Sequence, residues 1–140
     1  IVVDASVAAK WIIPGEPWGD NAGKLKESIV SGKVVAYAPP LFSYELASVI
    51  LRSINTGVLT FEDGVESLNA IKLLGINIQP TLWNHIVEML DIALTTKLTI
   101  YDSAYLHLSK RLGAKLITAD EELKRKGERV AEVCLLKDFI

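Results

Sequence analysis

The feature that most limits what this chain can fold into is a repeated switch of period: short apolar, β-branched runs alternate with longer stretches of helical spacing. Ile1-Val2-Val3 is a buried-strand signal closed by Asp4, and Ala5 to Ile13 has room for a helical turn or two before Pro14-Gly15. Trp18 to Ser31 reads as a helix with Gly32 as its cap, and Val34-Val35-Ala36-Tyr37 as a second strand ended by Pro39-Pro40. Phe42, Leu46, Val49 and Ile50 recur at helical spacing up to Gly57. Thr60 and Asp63 resemble a capping box opening a helix that carries Leu68, Ile71 and Leu74, so the two helices form an αα-hairpin. Ile76-Asn77-Ile78 is a third strand, stopped by Pro80. Helices follow over Leu82 to Leu94 and Tyr101 to Leu112, the latter with Tyr101, Ala104, Tyr105, Leu108 and Leu112 as its buried side. Lys115-Leu116-Ile117-Thr118 is a fourth strand, Glu121 to Lys126 a short helix, and Val133 to Leu135 a fifth strand. Such alternation predicts an α/β domain around a mostly parallel sheet. No linker, repeat or low-complexity stretch interrupts it, so one domain is expected over residues 1–140.

Composition narrows the function. The chain is 50% apolar and 23% charged, enough for one real core and unlike a disordered segment. A net charge of −2 gives no general basic footprint, so a nucleic-acid partner would have to meet a local basic patch. Cys134 is the only cysteine, which excludes an intramolecular disulfide and fits a reducing, cytoplasmic compartment. It sits in Val133-Cys134-Leu135-Leu136, where an inert buried thiol is expected. No apolar run approaches the roughly 18 residues of a membrane span, and the strand-like start is unlike a signal peptide.

The chemistry lies in the acids. Asp4 follows the first strand and Asp120 stands just beyond the fourth. In a parallel sheet all strands end on one edge, and ligands bind there where strand order reverses. If the first and fourth strands flank that crevice, the two acids converge. Glu45 projects from the flank of the Phe42–Ile50 apolar stripe, and Asp102 lies in the first turn of its helix. Carboxylates gathered in one pocket raise each other's pKa unless a cation neutralises them. Hard divalent ions such as Mg²⁺ or Mn²⁺ prefer such oxygen ligands, and an ion held this way activates water and stabilises charge growing on a phosphodiester. His85 and His107 form no zinc spacing with Cys134. Each acid alone also has an ordinary structural reading: Asp4 and Asp120 as helix caps, Asp102 as a first-turn acid, Glu45 as a solvated helix residue. The case rests on the set.

That set resembles the PIN (PilT N-terminus) domain, and particularly VapC-type toxins of toxin–antitoxin pairs. The blocks run in order: Val3-Asp4-Ala5-Ser6-Val7, Leu41-Phe42-Ser43-Tyr44-Glu45-Leu46-Ala47, Leu98-Thr99-Ile100-Tyr101-Asp102-Ser103-Ala104-Tyr105 into Leu112-Gly113-Ala114, and Leu116-Ile117-Thr118-Ala119-Asp120. The resemblance implies a three-layer α/β/α sandwich, PIN-like and Rossmann-like, and a Mg²⁺- or Mn²⁺-dependent endoribonuclease. It places catalytic, metal-holding roles on Asp4, Glu45, Asp102 and Asp120, the last the most variable position. It places supporting hydroxyls at Ser6 and Thr118, which also suit ordinary turns. It further implies a homodimer and a cognate antitoxin whose C-terminal segment enters the active-site groove.

RNA phosphates need cationic neighbours at such a site. Among Lys10, Arg52, Lys110, Arg111, Lys124, Arg125 and Lys126, the substrate contacts are expected from Lys10 and Arg52, because each shares an element with an acid. Trp11 and Trp18 lie near the first acid, where burial, a subunit contact or base stacking are the alternatives. The rival reading is a non-catalytic PIN-like module that binds RNA or protein. A receiver-type phosphoacceptor domain would want an acid after the third strand, and Ile76-Asn77-Ile78-Gln79-Pro80 offers none. DNA cleavage remains a closer alternative, since the chemistry does not distinguish the two backbones.

Overall fold

A computed structural model describes residues 1–139. Its elements are β1 (Val2–Val3), α1 (Ala5–Ala8) running into a 3₁₀ turn (Ala9–Trp11), α2 (Gly19–Val30), β2 (Tyr37–Ala38), α3 (Leu41–Asn55), α4 (Phe61–Leu73) and β3 (Asn77–Ile78). They continue with α5 (Trp83–Thr96), α6 (Ile100–Leu112), β4 (Leu116–Thr118), α7 (Glu121–Gly127), β5 (Val133–Leu135) and α8 (Leu136–Phe139). The strands form one sheet in the order β3-β2-β1-β4-β5, and every pairing is parallel. With helices on its faces, the molecule is the expected three-layer α/β/α sandwich.

The strand order places β1 beside β4, with Val2 opposite Leu116 and Val3 opposite Ile117. The chain builds outward from β1 to β3, then returns to the other side of β1 for β4. This reversal opens a crevice at the carboxyl ends of β1 and β4. Val2, Val3, Leu116 and Ile117 are fully buried, which explains why the central strands read as unbroken apolar runs rather than as alternation. At the edge, Asn77 and Ile78 of β3 are both exposed.

Several elements differ from the sequence reading. The second strand lies at Tyr37–Ala38 rather than over Val34 to Tyr37. The Val34 amide turns back to the Ser28 carbonyl (3.1 Å) at the end of α2, so these valines link helix to strand. The first helix is divided, and its second half tightens to 3₁₀. Helix α5 continues to Thr96, beyond the expected end at Leu94. On α6, Tyr101 and Leu112 are exposed, whereas Ser103 through Ser109 are continuously buried. This helix runs through the interior, covered on more sides than a single stripe allows. Helix α8 has only 4 residues, too short for periodicity to reveal.

Thr60 does cap α4 in a capping box, accepting from the Asp63 amide (3.1 Å) while the Asp63 carboxylate accepts from the Thr60 amide (3.0 Å). Two glycines permit close approach near the site's scaffold. A Cβ at Gly64 would lie 2.7 Å from Ile50 Cγ2, so the α3–α4 hairpin closes only on glycine. A Cβ at Gly127 would lie 2.7 Å from Leu106 Cδ2, so α7 packs directly on α6 and carries the Asp120 end of β4 with it.

Candidate active site

Asp4 leaves the end of β1 at the crevice and is 7% exposed. It occupies the N-cap position of α1, yet its side chain makes no cap hydrogen bond. Instead its Oδ2 accepts from the Ser6 hydroxyl (2.7 Å) and the Thr118 hydroxyl (2.6 Å). Thr118, fully buried at the end of β4, also accepts the Asp120 amide (3.0 Å), and Ser6 Oγ accepts the Ala119 amide (3.1 Å). Ser6 and Thr118 thus stitch the end of β1 to the turn after β4. Both hydroxyls donate to the Asp4 carboxylate.

The remaining acids arrive from three helices. Glu45, half-buried on α3, accepts through Oε1 from the Tyr105 hydroxyl (2.8 Å). Asp102 is half-buried in the first turn of α6, whose cap Thr99 accepts the Asp102 amide (3.1 Å). Asp120 is exposed and caps α7, its Oδ1 accepting from the Glu122 (2.8 Å) and Leu123 (3.1 Å) amides. For Asp120 the cap reading holds in full, and it leaves Oδ2 uncommitted to that cap.

These carboxylates act on one another. Burial raises the pKa of Asp4 above the usual range, hydroxyl bonds from Thr118 and Ser6 oppose the rise, and the charge of Asp102 adds to it. Burial likewise raises Glu45, with the Tyr105 bond opposing and the charges of Asp4 and Asp102 adding. Burial raises Asp102, with Thr99 opposing and Asp120 adding. The electrostatic links therefore join all four acids. None of them takes part in an ion pair among the described residues. Nor, among the described residues, do three acidic, histidine or cysteine side chains form a ready-made metal cage. The donor set nevertheless suits a hard divalent cation: it offers oxygen alone, is negatively charged, and forms no ion pair with a lysine or arginine among the described residues.

The model of the PIN domain family matches residues 1–129 of this chain. The chain belongs to the PIN domain family. It is 27% identical over 130 residues to Ribonuclease VapC3 of Pyrobaculum aerophilum, covering 90% of this chain and 93% of that protein. It is 28% identical over 130 residues to Ribonuclease VapC9 of Mycobacterium tuberculosis, covering 91% of each. Among solved structures it is similar to PAE2754 from Pyrobaculum aerophilum, with a TM-score of 0.68, 20% identity and coverage of 97% of this chain and 90% of that one. It is also similar to Mycobacterium tuberculosis VapC20, described as a sarcin-ricin loop cleaving toxin, with a TM-score of 0.68, 14% identity and coverage of 90% and 94%.

Around this PIN-domain crevice the expected cations divide. Lys10 pairs with Glu16 (3.7 Å), lies over the Trp18 ring at 5.6 Å, and keeps only 9% of its side chain exposed. Arg52 is exposed on α3, two turns beyond Glu45 or about 10 Å along the axis, and has no ion pair among the described residues. Lys124 and Lys126 pair with Glu128 and Glu122. Trp11 and Trp18 are partly buried and pack against the core, and Trp11 Nε1 donates to the Ala22 carbonyl (2.8 Å). Sequence reasoning took Tyr105 only as a core residue. Its one legible signal is its place one helical turn after Asp102, on the same face.

Proposed function

We propose that this PIN domain, spanning residues 1–140, is a Mg²⁺- or Mn²⁺-dependent endoribonuclease that hydrolyses RNA phosphodiester bonds, and the toxin of a toxin–antitoxin pair. One observation carries the reading. Burial raises the pKa of Asp4, Glu45 and Asp102 at the β1–β4 crevice, the charge of Asp102 adds to the rise at Asp4 and Glu45, and none has a basic partner among the described residues. That arrangement favours a bound cation over three free carboxylates. The names of the relatives, VapC ribonucleases, support RNA as the substrate.

In this reading Asp4, Glu45 and Asp102 hold the ion, and Asp120 contributes the oxygen its helix cap leaves uncommitted. The ion supplies Lewis-acid activation and charge neutralisation at the scissile phosphate. The chain does the rest. Ser6 and Thr118 fix the Asp4 carboxylate by donating to one oxygen, and Arg52 offers a phosphate contact along α3.

The exposed stripe Trp83, Val87, Leu90 and Leu94 on α5, which are 88%, 70%, 56% and 74% exposed at helical spacing, supports a homodimer. A solution mass of one chain at micromolar concentration would count against it. A cognate antitoxin is the expected partner of the crevice. No helix among the described residues is long and apolar enough to cross a membrane. The free Cys134 fits a cytoplasmic location.

The test offers labelled single-stranded RNA and DNA of one sequence to the protein with Mg²⁺ or Mn²⁺, and with EDTA. Internal cleavage of RNA that EDTA abolishes is expected. Cleavage that persists in EDTA would remove the cation from the account. Equal cleavage of DNA would remove the preference for RNA.

A further inference from the structure

We infer that Tyr105 is a positioning residue for this site: its hydroxyl holds Glu45 by one carboxylate oxygen and thereby presents the other to the acidic crevice. The inference rests on the reading of the crevice as a cation site. Tyr105 is 1% exposed, and its hydroxyl donates to Glu45 Oε1 at 2.8 Å, joining α6 to α3 across 60 residues of sequence. A phenol buried this deeply needs a partner for its one polar atom, and here the partner is an acid of the site rather than a backbone carbonyl.

Three features make the contact more than core packing. Tyr105 lies one turn beyond Asp102 on α6, so a single helix delivers one acid and the hydrogen-bond donor to another. A phenol, with an ordinary pKa of about 10, stays protonated and so a donor at neutral pH. The donor is also neutral. A lysine or arginine in its place would steady Glu45 equally well, but would supply the positive charge that the acids otherwise draw from an ion. Glu45 is a long side chain on a half-buried flank with several rotamers open to it. The Tyr105 bond removes that freedom before a cation arrives, the role that partners behind metal ligands serve.

Mn²⁺ binding, followed by the paramagnetic resonance of the free ion, tests this in wild type, Tyr105→Phe, Glu45→Ala, the double variant and Asp4→Asn. Phenylalanine keeps the ring and deletes the bond. Affinity should fall about tenfold to a hundredfold in Tyr105→Phe, and Tyr105→Phe should cost nothing more once Glu45 is alanine. An equal loss in both backgrounds would mean a general loosening of the fold and would overturn the inference. So would unchanged affinity in Tyr105→Phe while Asp4→Asn abolishes binding, a result that leaves the cation site itself standing. Wild type that binds no Mn²⁺ would overturn the cation site and the inference together. Should Tyr105→Phe fail to fold, ¹⁹F spectra of 3-fluorotyrosine-labelled protein replace it. The Tyr105 resonance should move when Mg²⁺ is added to wild type and stay in place in Glu45→Ala; a wild-type resonance that Mg²⁺ does not move would overturn the inference.

Discussion

Thr118 shows most clearly how single residues divide structural and functional work in this site. Its hydroxyl has one proton and two lone pairs. The proton goes to Asp4, and the oxygen accepts the Asp120 amide, so one buried group sets the position of two acids. Valine has nearly the same shape and neither capacity. Thr118→Val should destabilise the protein by about 1–3 kcal/mol, the cost of leaving buried polar partners unsatisfied. Denaturant unfolding at neutral pH measures this, and stability equal to wild type would contradict it. The same residue marks a limit of sequence reading. A threonine two places before an aspartate looks like a helix cap, and Thr118-Ala119-Asp120-Glu121 has capping-box spacing. In the structure Asp120 is the cap, and Thr118 faces back toward Asp4. Only the pairing of β1 with β4, set by contacts more than 100 residues apart, decides between the two.

Helix α5 carries a separate consequence. Its N-terminus is closed by His85, whose Nδ1 accepts the Leu82 amide (3.1 Å), which requires that nitrogen to be unprotonated. His85 lies beside His107 (ring centroids 4.9 Å apart), and His107 in turn contacts Glu88. Burial lowers the His85 pKa below its usual value, the charges of Arg111 and His107 lower it further, and Glu88 opposes them. A histidine with a folded pKa below its unfolded one favours folding above the unfolded pKa, about 6.5. That contribution is lost as pH falls from there toward the folded value. A proton on Nδ1 also places positive charge at the positive end of a helix dipole. Thermal melting should therefore fall more steeply between pH 7.5 and 5 in wild type than in His85→Asn, whose amide oxygen accepts the same bond without titrating. Parallel pH profiles would contradict this.

The elements themselves were largely legible, because α3, α4 and α6 carry apolar spacing and glycine or threonine punctuation that few other folds satisfy. The exceptions have local causes. Val34 and Val35 look like strand residues by β-branching, yet the Val34 amide is taken by Ser28, and pairing begins only at Tyr37. Lys10 shares the first helical segment with an acid, Asp4, so chain proximity suggests substrate binding, but its ammonium is directed to Glu16 and Trp18. Tyr105 sits at a position that periodicity assigns to the core, and periodicity cannot see that its hydroxyl ends on Glu45.

At the scale of the whole molecule, the architecture accounts for the site. A parallel sheet ordered β3-β2-β1-β4-β5 brings the ends of β1 and β4 together, while α3 and α6 lay Glu45 and Asp102 across the same crevice. The four acids and their order along the chain are legible in the sequence, and in the structure the charges of these acids act on one another. The sequence could not supply the phenol donor that holds Glu45, which follows from a contact between α6 and α3 across 60 residues of sequence. The most direct test of the central claim is RNA cleavage by wild type, Asp4→Asn and Asp102→Asn in the presence of Mn²⁺, with folding of each variant checked by its melting curve. The account predicts that both folded variants lose cleavage by at least about a hundredfold, as removal of a charge-stabilising group does. Cleavage that survives undiminished in both would contradict it and place the activity elsewhere.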